Sequence, residues 1–200
     1  MAADRQNYSA VAIGLHWVIA ALIVGNIGLA WWFNTLHGAA KLEPMQLHKS
    51  IGVTVLILTV ARIGWRLAAP PPPLPATFTG WERGLSHVVH GLFYVVMLGL
   101  PLSGWAVSSA SPLIKAFPIT LFQIVQWPTI SVLANLPHDQ IKLAHKVFGL
   151  THGLLGKLAY VLIVLHVAGA LKHQFISRDD VVARMIPLLR RRRAISAGRA

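Results

Sequence analysis

Between Gln6 and Ala40 the chain carries no Asp, Glu, Lys or Arg. An uncharged apolar run of that length exceeds the ~20 residues an α-helix needs to cross a bilayer. Three more apolar stretches follow, and the spans are predicted at about 10–33, 46–67, 85–107 and 147–173. A single segment inside hydrocarbon satisfies its own backbone hydrogen bonds only as a helix. The expected fold is therefore all-α, an integral membrane four-helix bundle. Only 12% of the chain is charged, about half the share usual in soluble domains.

The connections differ in character. "PPPPLP" (Pro70–Pro75) is a stiff, extended linker that cannot continue a helix. Pro101 falls inside the third span and is expected to kink it. Ser108–Gln140 is rich in proline and aromatics, and is expected to lie partly in the membrane interface. Residues 1–187 are read as one four-span domain and 188–200 as a basic cytoplasmic tail. The start, "MAADRQNYS", lacks the basic stretch and cleavage site of a secretory signal, so the first helix is expected to be retained. No cysteine is present, which excludes disulfides, thiolate nucleophiles, iron–sulfur ligation and thioether haem attachment.

The formal net charge is +12. Its placement beside the spans and in the tail points to topogenic charge and anionic lipid, with no nucleic acid as partner. With the N-terminus inside, Arg5, Arg62, Arg66, Arg83, Arg178, Arg184, Arg190, Arg191, Arg192, Arg193 and Arg199 all fall on one side. The other side has Lys41, Lys49, Lys115, Lys142 and Lys146. By the positive-inside rule the arginine side is cytoplasmic, giving N-in/C-in topology.

That topology gives each membrane histidine a depth. His16 and His166 lie near the cytoplasmic ends of spans one and four, and His48 and His152 near the outer ends of spans two and four. The fourteen steps from His152 to His166 return to within roughly 40° of the same helix face and cover about 21 Å. Two levels result, each with two imidazoles from different helices, which is what bis-histidine ligation of a b-type haem requires. His16 and His166 are the candidate ligands of the inner haem iron, His48 and His152 of the outer. Small residues nearby (Gly14, Gly52, Gly149, Gly153 and Gly156) suit a flat macrocycle against backbone. Taken singly, each histidine also reads as an ordinary interhelical hydrogen-bonding group, and small residues line ordinary helix interfaces. The depth-matched pairing and the cost of keeping ionisable groups in hydrocarbon favour function. His145 shares the stripe of His152, His166 and His173, but pairing it with His166 separates the levels by about 31 Å, the full hydrocarbon core. His87 and His90 share one face of span three. Contact with a propionate or a quinone, and plain packing, are equal readings there.

The sequence resembles the bacterial cytochrome b561 family, small four-helix di-haem membrane cytochromes. The likeness is carried by "LHW" (Leu15–Trp17), "LHKSIG" (Leu47–Gly52), "RIGWRL" (Arg62–Leu67), "SHVVHGLFYVVMLGLPLSGW" (Ser86–Trp105) and "THGLLGKLAYVLIVLHVAG" (Thr151–Gly169). It covers nearly the whole chain up to "ARMIP". The resemblance implies two haem b groups on His16, His48, His152 and His166, and electron transfer across the membrane.

One activity in that family is superoxide oxidation with ubiquinone as acceptor, so an oxidoreductase of superoxide:quinone type is the leading expectation. The lysine-bearing outer face would attract a small anion. Lys157, five residues past His152, is a candidate on the anion path, with snorkelling as the equal alternative. His87, Arg62 and His173 are candidate quinone or propionate contacts. The competing reading is a cytochrome b subunit relaying electrons between quinone and a docked redox protein, with Phe122 and Trp127 in the docking surface. A histidine-lined metal transporter is disfavoured, because the spans lack the Asp and Glu expected along a divalent-cation path.

Overall fold

The computed structural model describes residues 7–75, 77–186 and 188–189. Arg5, Arg190–Arg193, Arg199 and most of the basic tail lie outside them. Among the described residues, four helices are long and apolar enough to cross a membrane. They are α1 (Ala10–Asn34), α2 (Leu42–Ala68), α3 (Gly80–Ser109) and α5 (His138–Lys172). Chain direction alternates, so the bundle has two distinct ends. The terminal end holds the starts of α1 and α3 and the ends of α2 and α5. The opposite end carries a two-stranded antiparallel hairpin, β1 (Thr120–Leu121) with β2 (Val125–Gln126), and the single turn α4 (Ser131–Ala134).

Local chemistry fixes the helix starts. Ser9 caps α1, its Oγ accepting from Ala12 N–H at 3.2 Å while the Trp65 indole donates to the same oxygen. Thr79 opens α3 with a capping box, its backbone N–H donating to Glu82 Oε2 at 2.9 Å. Glu82 also pairs with Lys172 at the end of α5, which stands over the Trp81 ring. This contact ties α3 to α5 at the terminal end.

The bundle core is the α3–α5 seam. Val89 and Val96 meet Ala159 and Leu162, with Leu92, Phe93, Leu100, Leu155 and Leu158 around them. These positions recur at three- and four-residue steps on each helix, the pattern of one buried stripe. Inside a bilayer the transfer term is absent, and such a seam is held by close packing and dispersion. Gly99 makes room for it, since a Cβ there would stand 3.0 Å from Leu155 Cδ1. Substituting Ala159 by Leu would overfill the seam, at about 1–3 kcal/mol. Helix α3 packs most closely on α5, then α1 on α2 and α2 on α3. Helices α1 and α5 meet through side chains, among them the Trp31 indole donating to Tyr160 at 3.1 Å.

One element starts earlier than expected. Helix α5 begins at His138, well before the predicted start near 147. Its first turns, "HDQIKLAHK", are too polar to read as membrane span, yet they are helical and bury Ile141. At ~1.5 Å per residue, 35 residues reach about 52 Å. Helix α3 passes through Pro101 without a break. The remainder of 108–140 is an ordered cap docked on α2: Ser50 Oγ accepts from Phe122 N–H at 2.9 Å, and Gln46 donates to Pro118 O.

At the terminal end α5 closes in a π-helical turn, His173–Ser177, and Arg178 takes left-handed backbone (φ 52°). The chain then turns back through α6 (Val181–Met185). His173 Nδ1 sits 2.6 Å from Asp179 Oδ2, and its ring stacks on Phe78 at 4.1 Å. Arg184 donates to Pro73 O and the Trp17 indole to Met185 O, so this strap crosses the proline linker and the start of α1.

Candidate haem-binding histidine pairs

Four histidines converge in two pairs. At the terminal end His16 of α1 faces His166 of α5, ring centroids 6.1 Å apart with planes at 61°. At the hairpin end His48 of α2 faces His152 of α5 at 6.3 Å and 78°. All four rings are partly enclosed by the bundle. A metal held in line between two imidazole nitrogens, with bonds of about 2.0–2.1 Å, sets the centroids about 6.3–6.5 Å apart. Both pairs stand at that spacing to within a few tenths of an ångström. Two imidazoles are too few for a bare ion, and no group of three or more His, Cys, Asp or Glu suited to one occurs among the described residues. A macrocycle that brings nitrogen donors of its own would fit this donor set, with a histidine pair to hold it at each level.

At the hairpin end both rings are oriented by backbone. His48 Nδ1 lies 3.3 Å from Asn26 O, and His152 Nδ1 lies 3.0 Å from Leu100 O. A carbonyl only accepts, so Nδ1 carries the proton in each ring and Nε2 keeps its lone pair for a metal. Ser103 Oγ stands 3.1 Å from the same His152 nitrogen and donates to Leu100 O at 2.9 Å. Gly104 permits this approach, because a Cβ there would come within 3.1 Å of His152 Cε1. Phe33 meets His48 edge-on at 5.3 Å.

At the terminal end the neighbours are aromatic and cationic. His90 stands 5.4 Å from His166, as does Phe93. His90 Nδ1 bonds Ser86 O one turn earlier on α3, at 2.6 Å. Arg62 donates to Ala12 O at 3.1 Å, one turn before His16, which sets a guanidinium beside this pair.

The other sequence candidates lie elsewhere. His87 is exposed and bonds Arg83 O within its own helix. His173 is held by Asp179 and Phe78 in the strap. Lys157 is exposed on α5, about 140° around the helix from His152. His145 bonds Val107 O, joining α5 to the last turn of α3. Trp127 packs edge-on against Trp105, whereas Phe122 is exposed at the hairpin tip.

Sequence reasoning did not single out Asn26, Leu100, Ser103 or Gly104. Asn26 was legible as a lone amide inside an uncharged span. Its Oδ1 is buried beside the His48 level with no hydrogen-bond partner among the described residues. The Leu100 carbonyl carries no sequence signal, because it is backbone.

Comparison with known proteins agrees with this architecture. A family model described as prokaryotic cytochrome b561 matches residues 7–188. "Cytochrome b561 homolog 2" of Escherichia coli (strain K12) is 30% identical over 184 residues, 90% of this chain and 92% of that protein. "Probable superoxide oxidase CybB" of Yersinia pestis is 29% identical over 190 residues, 92% and 97% of the two chains. "Cytochrome b562" of Cereibacter sphaeroides is 24% identical over 189 residues. With four membrane-length helices, paired histidines across the bundle and a family match over nearly its whole length, this chain belongs to the prokaryotic cytochrome b561 family of bacterial membrane proteins, which bind haem b and transfer electrons.

Proposed function

We propose that the protein is a di-haem superoxide:ubiquinone oxidoreductase of the bacterial inner membrane. In this reading His16 and His166 hold one haem b, and His48 and His152 hold the other. Both termini are cytoplasmic, so the hairpin end faces outward. The observation that carries the reading is the pair of imidazole couples, 6.1 and 6.3 Å between centroids, at two depths of one bundle.

The two haems supply one-electron redox chemistry along the membrane normal. The protein's own groups do the rest. Lys41, Lys49, Lys115, Lys142 and Lys146 outnumber Glu43 and Asp139 at the hairpin end, and the resulting field raises the local concentration of a small anion. A cavity of about 280 Å³ in the cap, bordered by Ser111, Lys115 and His138, lies on this face. Two superoxide anions each give up one electron and leave as dioxygen. One ubiquinone at the terminal end gains both electrons and two protons to become ubiquinol. Arg62 and His90 stand beside the His16–His166 pair, where a quinone headgroup needs donors. The resemblance to the Yersinia pestis protein named as a probable superoxide oxidase supports the choice of donor.

A second reading, a relay between quinone and a docked redox protein, draws on the hairpin tip. Phe122, Ile124 and Val125 are exposed there, an apolar surface that a protein partner would cover.

The test is pyridine haemochrome quantitation on purified protein, followed by superoxide-dependent ubiquinone reduction. Two b haems per chain with quinone reduction quenched by superoxide dismutase support the reading. Two haems without that activity favour the relay. Fewer than two haems overturn the ligand assignment.

A further inference from the structure

The four paired imidazoles are not anchored alike. At the hairpin end both Nδ1–H groups donate to carbonyls of neighbouring helices, His48 to Asn26 O and His152 to Leu100 O. His152 has a further partner in Ser103 Oγ, 3.1 Å from the same nitrogen, while Ser103 bonds Leu100 O in turn. Among the described residues, His16 and His166 make ring contacts but no such bond through Nδ1. Arg62, in contrast, places a fixed positive charge at their end, its guanidinium bonded to Ala12 O.

Two of these differences, the carbonyl bonds at the hairpin end and the guanidinium at the terminal end, act in one direction on a redox centre, against the opposing charge of Lys49 next to His48. An imidazole that donates Nδ1–H to a carbonyl is a more basic ligand, and a more basic ligand favours the oxidised metal. A nearby guanidinium favours the form with one positive charge fewer, the reduced one. The first effect lowers the reduction potential at the hairpin end, and the second raises it at the terminal end.

Resting on the ligand assignment above, we propose that Ser103 is a positioning residue. With the Leu100 and Asn26 carbonyls it fixes the tautomers at the His48–His152 level and makes that level the lower-potential of the two. With haem bound at both levels, that ordering would favour electron transfer from the hairpin end towards the His16–His166 level. Gly104 belongs to the same device, since its missing Cβ lets the His152 ring reach Leu100 O. Serine in a helix often bonds its own backbone with no further role. The second contact, to a ring on another helix, is what distinguishes Ser103.

The experiment is a potentiometric titration of the purified full chain, followed by absorbance and by electron paramagnetic resonance, once haem has been counted. Three variants enter it: Ser103→Ala, Ser103→Thr and Arg62→Gln. The unaltered protein should titrate in two waves. Ser103→Ala should raise the lower wave alone, changing the partition of electrons between the levels several-fold, and Ser103→Thr should restore it. Arg62→Gln should lower the upper wave alone, which tests the ordering even where Ser103→Ala fails to accumulate. A shift of the upper wave in Ser103→Ala, a shift of the lower wave in Arg62→Gln, or two coincident waves in the unaltered protein overturns the proposal while two haems remain. Fewer than two haems in the unaltered protein overturns both the proposal and the ligand assignment.

Discussion

His90 stands edge-on to His166 at 5.4 Å, closer than the 6.1 Å that separates His166 from His16 across the bundle. The shorter distance does not make His90 a ligand. Two rings sharing a metal in line need about 6.3–6.5 Å between centroids, and the His90–His166 rings stand roughly an ångström closer than that. His166→Ala is therefore expected to halve the haem content, whereas His90→Ala should keep both haems with a displaced absorbance band. Haemochrome quantitation on the two variants decides this. Loss of one haem from His90→Ala would exchange the roles of His16 and His90.

Gly104 gives a second prediction. A Cβ at this position would stand 3.1 Å from His152 Cε1 and 3.3 Å from Nδ1, so the ring must yield. Gly104→Val is expected to cost about 1–3 kcal/mol through overpacking and to remove or perturb the hairpin-end haem while sparing the other. Gly64 has open space around it and serves as the control, so Gly64→Ala should leave both haems as they are. Two unperturbed haems in Gly104→Val would mean that His152 binds in another rotamer.

Much of this arrangement was legible in the sequence because hydrophobic length and histidine spacing are coarse signals with geometric meaning. An uncharged run fixed α1 to within a residue at its end, and fourteen residues between His152 and His166 placed both on one face. What stayed hidden depends on the backbone or on tertiary support. The polar opening of α5 becomes helix because Ile141 finds a buried place under the cap, which hydropathy cannot foresee. His87 and His90 share one helix face and are both exposed, and only the ring contact with His166 on α5 sets His90 apart. His173 continued the histidine stripe, yet the π-helical turn redirects it to Asp179.

The strap at the terminal end should behave as a local unit. His173 and Asp179 are both buried, and Asp179 also accepts from Thr77 Oγ1 and Val181 N–H, so replacing His173 removes one of several hydrogen bonds, at about 0.5–1.5 kcal/mol. His173→Ala is expected to loosen 178–186 without unfolding the bundle. Trp17, whose indole donates to Met185 O, would report it through altered fluorescence, and trypsin would cut faster at Arg178 and Arg184. Unchanged proteolysis in this variant would show that the remaining contacts, Arg184 on Pro73 O, Trp17 on Met185 O and Thr77 on Asp179, hold the strap.

If superoxide approaches through the lysine-bearing face, its capture depends on long-range attraction. Salt shortens the reach of that field to about 10 Å at 0.1 M. The rate of superoxide-dependent quinone reduction should fall several-fold between about 0.01 and 0.3 M salt. Quinone reduction driven by an uncharged chemical reductant should change little over the same range. Equal salt dependence in the two assays would locate the effect at the quinone step.

Orientation is the remaining test, and the fold makes it sharp. Arg62, Arg66, Arg83, Arg178 and Arg184 gather at one end of the bundle, while Lys41, Lys115, Lys142 and Lys146 mark the other. The positive-inside rule counts such residues near span ends and places the arginine end in the cytoplasm. A reporter that fluoresces only in the cytoplasm, fused after residue 189, should be bright. A phosphatase that matures only outside, fused after Thr129 in the cap, should be active. The reversed pattern would turn the bundle over: the His48–His152 level would face the cytoplasm, and periplasmic superoxide would meet the arginine end instead. The imidazole pairs would survive that result unchanged, but the donor and acceptor ends of the proposed reaction would have to be exchanged.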